Sequence, residues 1–66
     1  MRNEKAIKTA KQLIIEYQEN NKLLDALTDS EDGLVEEELY FTCTAFIAQN
    51  YKRIKFLNKM IEKWQK

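Results

Sequence analysis

The chain of 66 residues contains no proline, no histidine, one glycine and one cysteine. Because proline and glycine are the residues that most often interrupt helices, their scarcity leaves almost nothing to break a long helix. Without histidine or a second cysteine, most metal sites, base-activated nucleophiles and internal disulfides are excluded. A lone thiol is typical of a reducing cytoplasm. We therefore expect a cytoplasmic protein that is not an enzyme and has no cofactor.

Long hydrophobic runs are absent as well, since no apolar stretch approaches the ~20 residues that a membrane span requires. Charged residues make up 33% of the chain and hydrophobic residues 44%, a balance that is typical of a soluble folded protein and not of a disordered tail. The first residues lack the apolar core of a secretory signal. Nine lysines against two arginines suggest an A/T-rich bacterial or phage genome, so we expect a phage or mobile-element product.

The clearest pattern that is present lies in residues 40–64, where apolar residues recur in alternating steps of three and four. One seam position of this heptad holds Tyr40, Ile47, Ile54 and Ile61, and the other holds Cys43, Asn50, Leu57 and Trp64. Since no glycine follows Gly33, the pattern predicts one helix over about residues 34–65. Cys43 lies in this apolar seam, where a cysteine behaves as a small buried hydrophobe.

The first part of the chain has the same helical period and predicts a helix over about residues 3–28. Its seam positions are Ile7, Ala10, Ile14, Tyr17, Asn21 and Leu24. Asn20 and Asn21 leave two alternatives, because asparagine competes with the helix for backbone hydrogen bonds and can end or kink it. If the helix is continuous, Asn21 occupies a seam position, where a buried amide can fix the register.

The acidic segment over residues 29–33 predicts the turn between the helices. Ser30 or Asp32 can cap the second helix, and Gly33 can adopt a left-handed conformation. A calcium loop is excluded by spacing, because Gly33 at the sixth position would place Thr28 and Leu39 where acidic ligands are needed. The predicted fold is therefore all-α, a single domain over residues 1–66 that forms an antiparallel two-helix hairpin.

A hairpin of two long helices buries little, so we expect it to form a homo-oligomer, most simply a dimer that makes a four-helix bundle, or a larger helical assembly. A turn centred on residue 31 sets residues 13–15 beside residues 47–49 and leaves Ile61 and Trp64 overhanging the first helix. The residues expected at the oligomer interface are Ile15, Phe41, Phe46, Ile47, Ile61 and Trp64.

Charge is segregated along the chain. Residues 1–22 carry five basic and three acidic side chains. Residues 23–41 carry seven acidic side chains and no basic ones, and residues 42–66 carry six basic side chains and one acidic one. One interpretation is that these are solvated faces whose signs suit the helix dipoles. The other is that the two charged ends of the hairpin bind each other or a charged partner.

Two functions are compatible with these observations. The favoured hypothesis is a small homo-oligomeric regulator or inhibitor that binds another protein, directed at a host factor. The alternative is a nucleic-acid or nucleotide binder that uses the basic end of the hairpin. The residues expected to contact anions are Lys52, Arg53, Lys55, Lys59 and Lys63.

Overall fold

The computed structural model describes residues 3–29 and 36–65. Two helices, α1 (Glu4–Thr28) and α2 (Glu37–Gln65), pack against each other as an antiparallel hairpin. The described residues contain no strand, and neither of the two helices has a stretch that could serve as a membrane span. The caps predicted at Ser30 and Asp32 and the turn at Gly33 lie outside the described residues.

Side chains at both ends of α1 bond to its backbone. The Asn3 side chain accepts a hydrogen bond of 3.1 Å from the Ala6 amide, which is a typical N-cap. At the other end, the Thr28 hydroxyl donates to the carbonyls of Leu24 and Asp25 at 3.1 Å each. Between these ends α1 passes through Asn20 and Asn21 without a break. The continuous alternative is therefore the one that the structure adopts.

The register of the hairpin differs from the prediction. Asn50 lies opposite Asn20 and Asn21, to which its side chain is hydrogen-bonded, whereas a turn centred on residue 31 would place it opposite residue 12. The expectation that residues 13–15 lie beside residues 47–49 is therefore wrong. The prediction took the acidic cluster as the centre of the turn, but α2 begins only at Glu37.

This register gives Ile61 and Trp64 a place within the hairpin itself. Ile7, Ala10 and Ile61 form the buried core cluster, and Ile14, Leu57 and Trp64 pack against it. The expectation that Ile61 and Trp64 overhang α1 is wrong, because α1 reaches further along α2 than predicted. Tyr40 is the one predicted seam residue of α2 that is exposed, since in this register the position opposite it lies beyond the last residue of α1.

The resulting molecule is a thin rod. Its Cα extents are 52 × 14 × 11 Å and its radius of gyration is 15.4 Å, compared with about 11 Å for a compact domain of this length. Only four hydrophobic side chains of the described residues are buried, whereas nine large ones are exposed. The hairpin therefore has a narrow seam in place of a globular core.

Because Ile61 belongs to the buried core cluster, the same substitution should have a larger effect on the free energy of unfolding at Ile61 than at Ile15. Because Ile61 is 8% exposed and Ile15 is 46% exposed, we expect Ile61→Val to lower the free energy of unfolding by about 1 kcal/mol. Ile15→Val should lower it by less than about 0.5 kcal/mol. Urea denaturation followed by far-UV circular dichroism measures both values. Equal losses in the two variants would contradict the observed register.

Candidate functional site

Amide groups meet in the middle of the hairpin. The Asn50 Nδ2 donates to Asn21 Oδ1 at 2.8 Å and lies 3.0 Å from Asn20 Oδ1. Asn21 and Asn50 are both buried, and no buried side-chain nitrogen or oxygen in the described ranges lacks a hydrogen-bond partner. Because a buried amide without a partner is costly, this pairing strongly favours one alignment of α2 along α1.

Arg53 extends this network to the surface. Its Nη1 donates to Asn50 Oδ1 at 3.3 Å, and its guanidinium carbon lies 5.6 Å from the centre of the Tyr17 ring, at cation–π distance. Arg53 is one turn of helix from Asn50, so the same face of α2 supplies both groups. The result is an exposed cation that is held beside an aromatic ring at the middle of the rod.

One side of the hairpin is largely apolar, and we call it the apolar flank. On α1 it follows residues 6, 13, 17, 20 and 24, and on α2 residues 46, 49, 53, 56, 60 and 64, whose spacing keeps them on one side of each helix. Its hydrophobic members are Ala6, Leu13, Tyr17, Leu24, Phe46, Phe56, Met60 and Trp64. Arg53 lies among them at the middle of the rod.

Two shallow grooves show that these residues of α1 and α2 lie on the same side of the hairpin. The first has a volume of about 330 Å³ and is lined by Leu13, Tyr17, Lys52, Arg53, Phe56 and Leu57. The second has a volume of about 410 Å³ and is lined by Asn3, Lys5, Ala6, Thr9, Ala10, Leu13, Leu57 and Trp64. Leu13 and Leu57 line both grooves, so the apolar surface is continuous from the middle of the rod to the helix termini.

The opposite side, which we call the polar flank, has a different character. A groove there is lined by Gln18, Asn21, Lys22, Asp25 and Tyr51. Tyr51 is the aromatic residue of this groove and is 62% exposed, close to the 61% of Phe56 on the apolar flank. The two rings therefore form a matched pair on opposite sides of α2.

A third surface, the outer face of α2, points away from α1. It follows residues 41, 45, 48, 52, 55 and 59 in steps of three and four. Its half towards the turn presents Phe41, Ala45 and Ala48, all exposed. Its other half carries an exposed row of lysines, which we call the lysine row: Lys52, Lys55, Lys59 and Lys63.

The residues predicted for an oligomer interface do not share one surface. Phe46 and Trp64 lie on the apolar flank, whereas Phe41 lies on the outer face of α2 and Ile15 is exposed on α1. Ile61 belongs to the core cluster, and Ile47 is half-buried in the seam. The predicted anion contacts are also divided, because Arg53 is engaged by Asn50 and Tyr17 while the four lysines are in the lysine row.

Sequence reasoning missed the groove around Leu13, Tyr17 and Phe56. The signal for it was the run of residues 46, 53, 56 and 60 beside the seam, which becomes meaningful only once the register of α1 is known. Cys43 is 2% exposed and has no disulfide partner. Within residues 3–29 and 36–65, no group of three or more Cys, Asp or Glu side chains is placed to hold a metal ion.

Comparisons with models of known protein families, with curated proteins and with solved structures gave no match to this chain.

The amide pairing predicts a strong dependence between Asn21 and Asn50. Asn50→Leu alone should destabilise the hairpin by about 1–3 kcal/mol, because it leaves the buried Asn21 amide without its donor. The double variant Asn21→Leu with Asn50→Leu should recover most of that loss, since two apolar side chains replace both partners. A double-mutant cycle from urea denaturation gives the coupling. Additive losses would contradict a direct bond between the two amides.

Proposed function

We propose that this chain is a small non-enzymatic regulator or inhibitor that works as a homo-oligomer and acts by binding another protein. The observation that carries this proposal is the excess of exposed over buried hydrophobic side chains in the described residues. Apolar surface that is left uncovered by a chain's own fold is typical of surfaces that bind proteins. The proposal names two such surfaces, one for self-association and one for a target.

The size of the uncovered surface supports association. The chain has an accessible surface of 5614 Å², whereas a compact monomer of 7.9 kDa would expose about 4400 Å². The excess of roughly 1200 Å² is of the order that one subunit buries in a stable assembly. A chain this small gains much of its stability from such burial, because its own seam is narrow.

The outer face of α2 is the surface that we assign to the target. Phe41 is 60% exposed, and its ring contacts Tyr40 edge-on with 5.8 Å between the ring centres. A supported, exposed aromatic ring is a typical anchor for a pocket on a partner. Ala45 and Ala48 leave room for a close approach, and the lysine row beside them favours a target with acidic groups around an apolar pocket.

A second function is favoured by the lysine row itself. Lys52, Lys55, Lys59 and Lys63 form an exposed line along the C-terminal half of α2, with the exposed ring of Phe56 nearby. Aligned cations with an adjacent aromatic ring are suited to the phosphates and bases of a nucleic acid or nucleotide. The net charge of zero makes this the weaker candidate, because nucleic-acid-binding domains are usually basic overall.

The two functions differ in which substitution abolishes binding. Tagged wild-type protein, Phe41→Ser and the control Tyr51→Ser are each used to capture proteins from the cells in which the chain is naturally expressed. For a protein regulator, we expect a target that the wild type and Tyr51→Ser retain in equal amounts and that Phe41→Ser loses by more than about tenfold.

The ratio of absorbance at 260 nm to that at 280 nm of the purified material tests the second function. Co-purifying nucleic acid or nucleotide that disappears when Lys52, Lys55 and Lys59 are changed to Glu would contradict the protein-binding proposal and favour the alternative. Retention of the same proteins by Phe41→Ser would contradict the assignment of the outer face.

A further inference from the structure

We propose that the apolar flank is covered by a second copy of this chain that lies antiparallel to the first, so that the turn end of each hairpin packs on the terminal end of the other. This inference rests on the proposed function, because it specifies the homo-oligomer that the function requires. It assigns the face, the orientation and the central residues of the interface.

The apolar flank is favoured because it is the only long apolar side that both helices share in the described residues. The groove at its middle is lined on α1 by Leu13 and Tyr17 and on α2 by Phe56 and Leu57, with Lys52 and Arg53 at its edge. The polar flank instead brings Gln18, Lys22 and Asp25 around Tyr51. A second hairpin meets charged side chains on either flank, but on the apolar flank it also covers Leu13, Phe46 and Phe56. Arg53 there already has Asn50 and Tyr17 as partners.

The dimensions of the flank match those of a protein interface. A side 52 Å long and 14 Å wide offers about 700 Å² per copy, close to the roughly 800 Å² per partner of a standard interface. A short peptide would cover only part of this length. A second hairpin of the same length covers all of it and completes a four-helix bundle, in which every helix has two neighbours.

Charge determines the orientation. The half of the described hairpin towards the turn, residues 20–29 and 36–51, carries five acidic side chains and one basic. The terminal half, residues 3–19 and 52–65, carries eight basic and four acidic. A parallel pair would place like charges beside each other at both ends. An antiparallel pair places each acidic half on a basic half, with the two-fold axis near the middle of the rod.

The antiparallel arrangement brings a particular pair of charges together. Glu38 lies 13 residues before Tyr51 on α2, and Trp64 lies 13 residues after it, so each is about 20 Å from the middle of the rod. Glu38 lines a groove beside Leu39 at the turn end, and Lys63, which precedes Trp64, is exposed at the terminal end of the same helix. A two-fold axis at the middle packs α2 of one copy along α2 of the other, and it therefore sets Glu38 of one copy beside Lys63 of the other, twice per dimer.

A charge exchange tests this pairing. Lys63→Glu and Glu38→Lys should each raise the dimer dissociation constant by about 2- to 30-fold at low salt, because each disrupts two exposed ion pairs. The double variant should return to within about twofold of the wild type. Lys22→Glu on the polar flank is the control and should leave the constant within about twofold. Sedimentation equilibrium measures all four, and a double variant that is no tighter than the singles would overturn the pairing.

The face and the orientation are tested together with aromatic variants and a distance. Phe56→Ser should raise the dimer dissociation constant by more than about tenfold, and Tyr51→Ser, which changes an equally exposed ring, should leave the constant nearly unaltered.

The orientation is tested by a distance, for which a spin label is attached to Glu37→Cys in a Cys43→Ala background. Residue 37 lies about 21 Å from the middle of α2, so electron–electron double resonance should give about 40 Å between the labels.

The outcomes separate this inference from the proposed function. A dimer with labels less than about 25 Å apart, or one weakened by Tyr51→Ser and not by Phe56→Ser, overturns the inference and leaves a homo-oligomeric regulator intact. A protein that stays monomeric at all concentrations overturns the inference and the homo-oligomeric part of the function together. A dimer with the long distance and the dependence on Phe56 supports both.

Discussion

The hydrogen bonds of the Asn50 amide to Asn20 and Asn21 determine where α2 lies along α1. The residues that meet across the hairpin, and the side chains that share each of its surfaces, depend on this alignment. It carries Trp64 onto the core cluster of Ile7, Ala10 and Ile61, and it leaves Tyr40 half exposed beyond the end of α1. It also brings Arg53 over Tyr17 at the middle of the rod. Two buried amides contribute little net stability, but misaligning them leaves buried polar groups without partners, and that penalty favours one register.

The same alignment explains why the hairpin looks incomplete as a single chain. The seam is only two helices wide, so a residue must face directly towards the partner helix to be buried. Side chains one position to either side, such as Phe46, Phe56 and Leu13, are covered only in part or not at all. A third or fourth helix is the ordinary way to cover such positions. The asymmetry between the apolar and the polar flank indicates the side on which those helices would be added.

Much of the fold could be predicted because it depends on local patterns. The heptad of residues 40–64 and the scarcity of proline and glycine together predict two long helices, and the structure confirms an all-helical hairpin. The seam positions of α1 also follow from the sequence, and Ile7, Ala10 and Asn21 are buried as the period predicts. These properties require only that a helix forms and buries one stripe.

The register could not be predicted in the same way. If α2 slides along α1 by seven residues, or about two turns, the apolar seam of each helix still faces the other helix. The pairing of Asn50 with Asn21 distinguishes the alternatives, and the sequence identifies each asparagine as a seam residue without indicating that they meet. The candidate surfaces depend on the register in turn. The sequence shows that Phe56 and Leu13 are apolar residues beside the seam. It does not show that they line the same groove. Because the prediction places the turn at the acidic cluster, the predicted turn comes too early in the chain. The prediction therefore does not place Trp64 near Ile7, although Trp64 packs against the cluster that contains Ile7.

The central claim is that folding of this hairpin is linked to association, because the seam alone buries too little. The most direct measurement is the urea midpoint of unfolding as a function of protein concentration. For a dimer whose subunits unfold as they separate, a hundredfold increase in protein concentration should stabilise the folded state by about 2.7 kcal per mole of dimer. The urea concentration at the midpoint of unfolding should therefore rise with protein concentration. A cooperative transition whose midpoint is the same across that range would show that the single hairpin is stable by itself and would contradict the account.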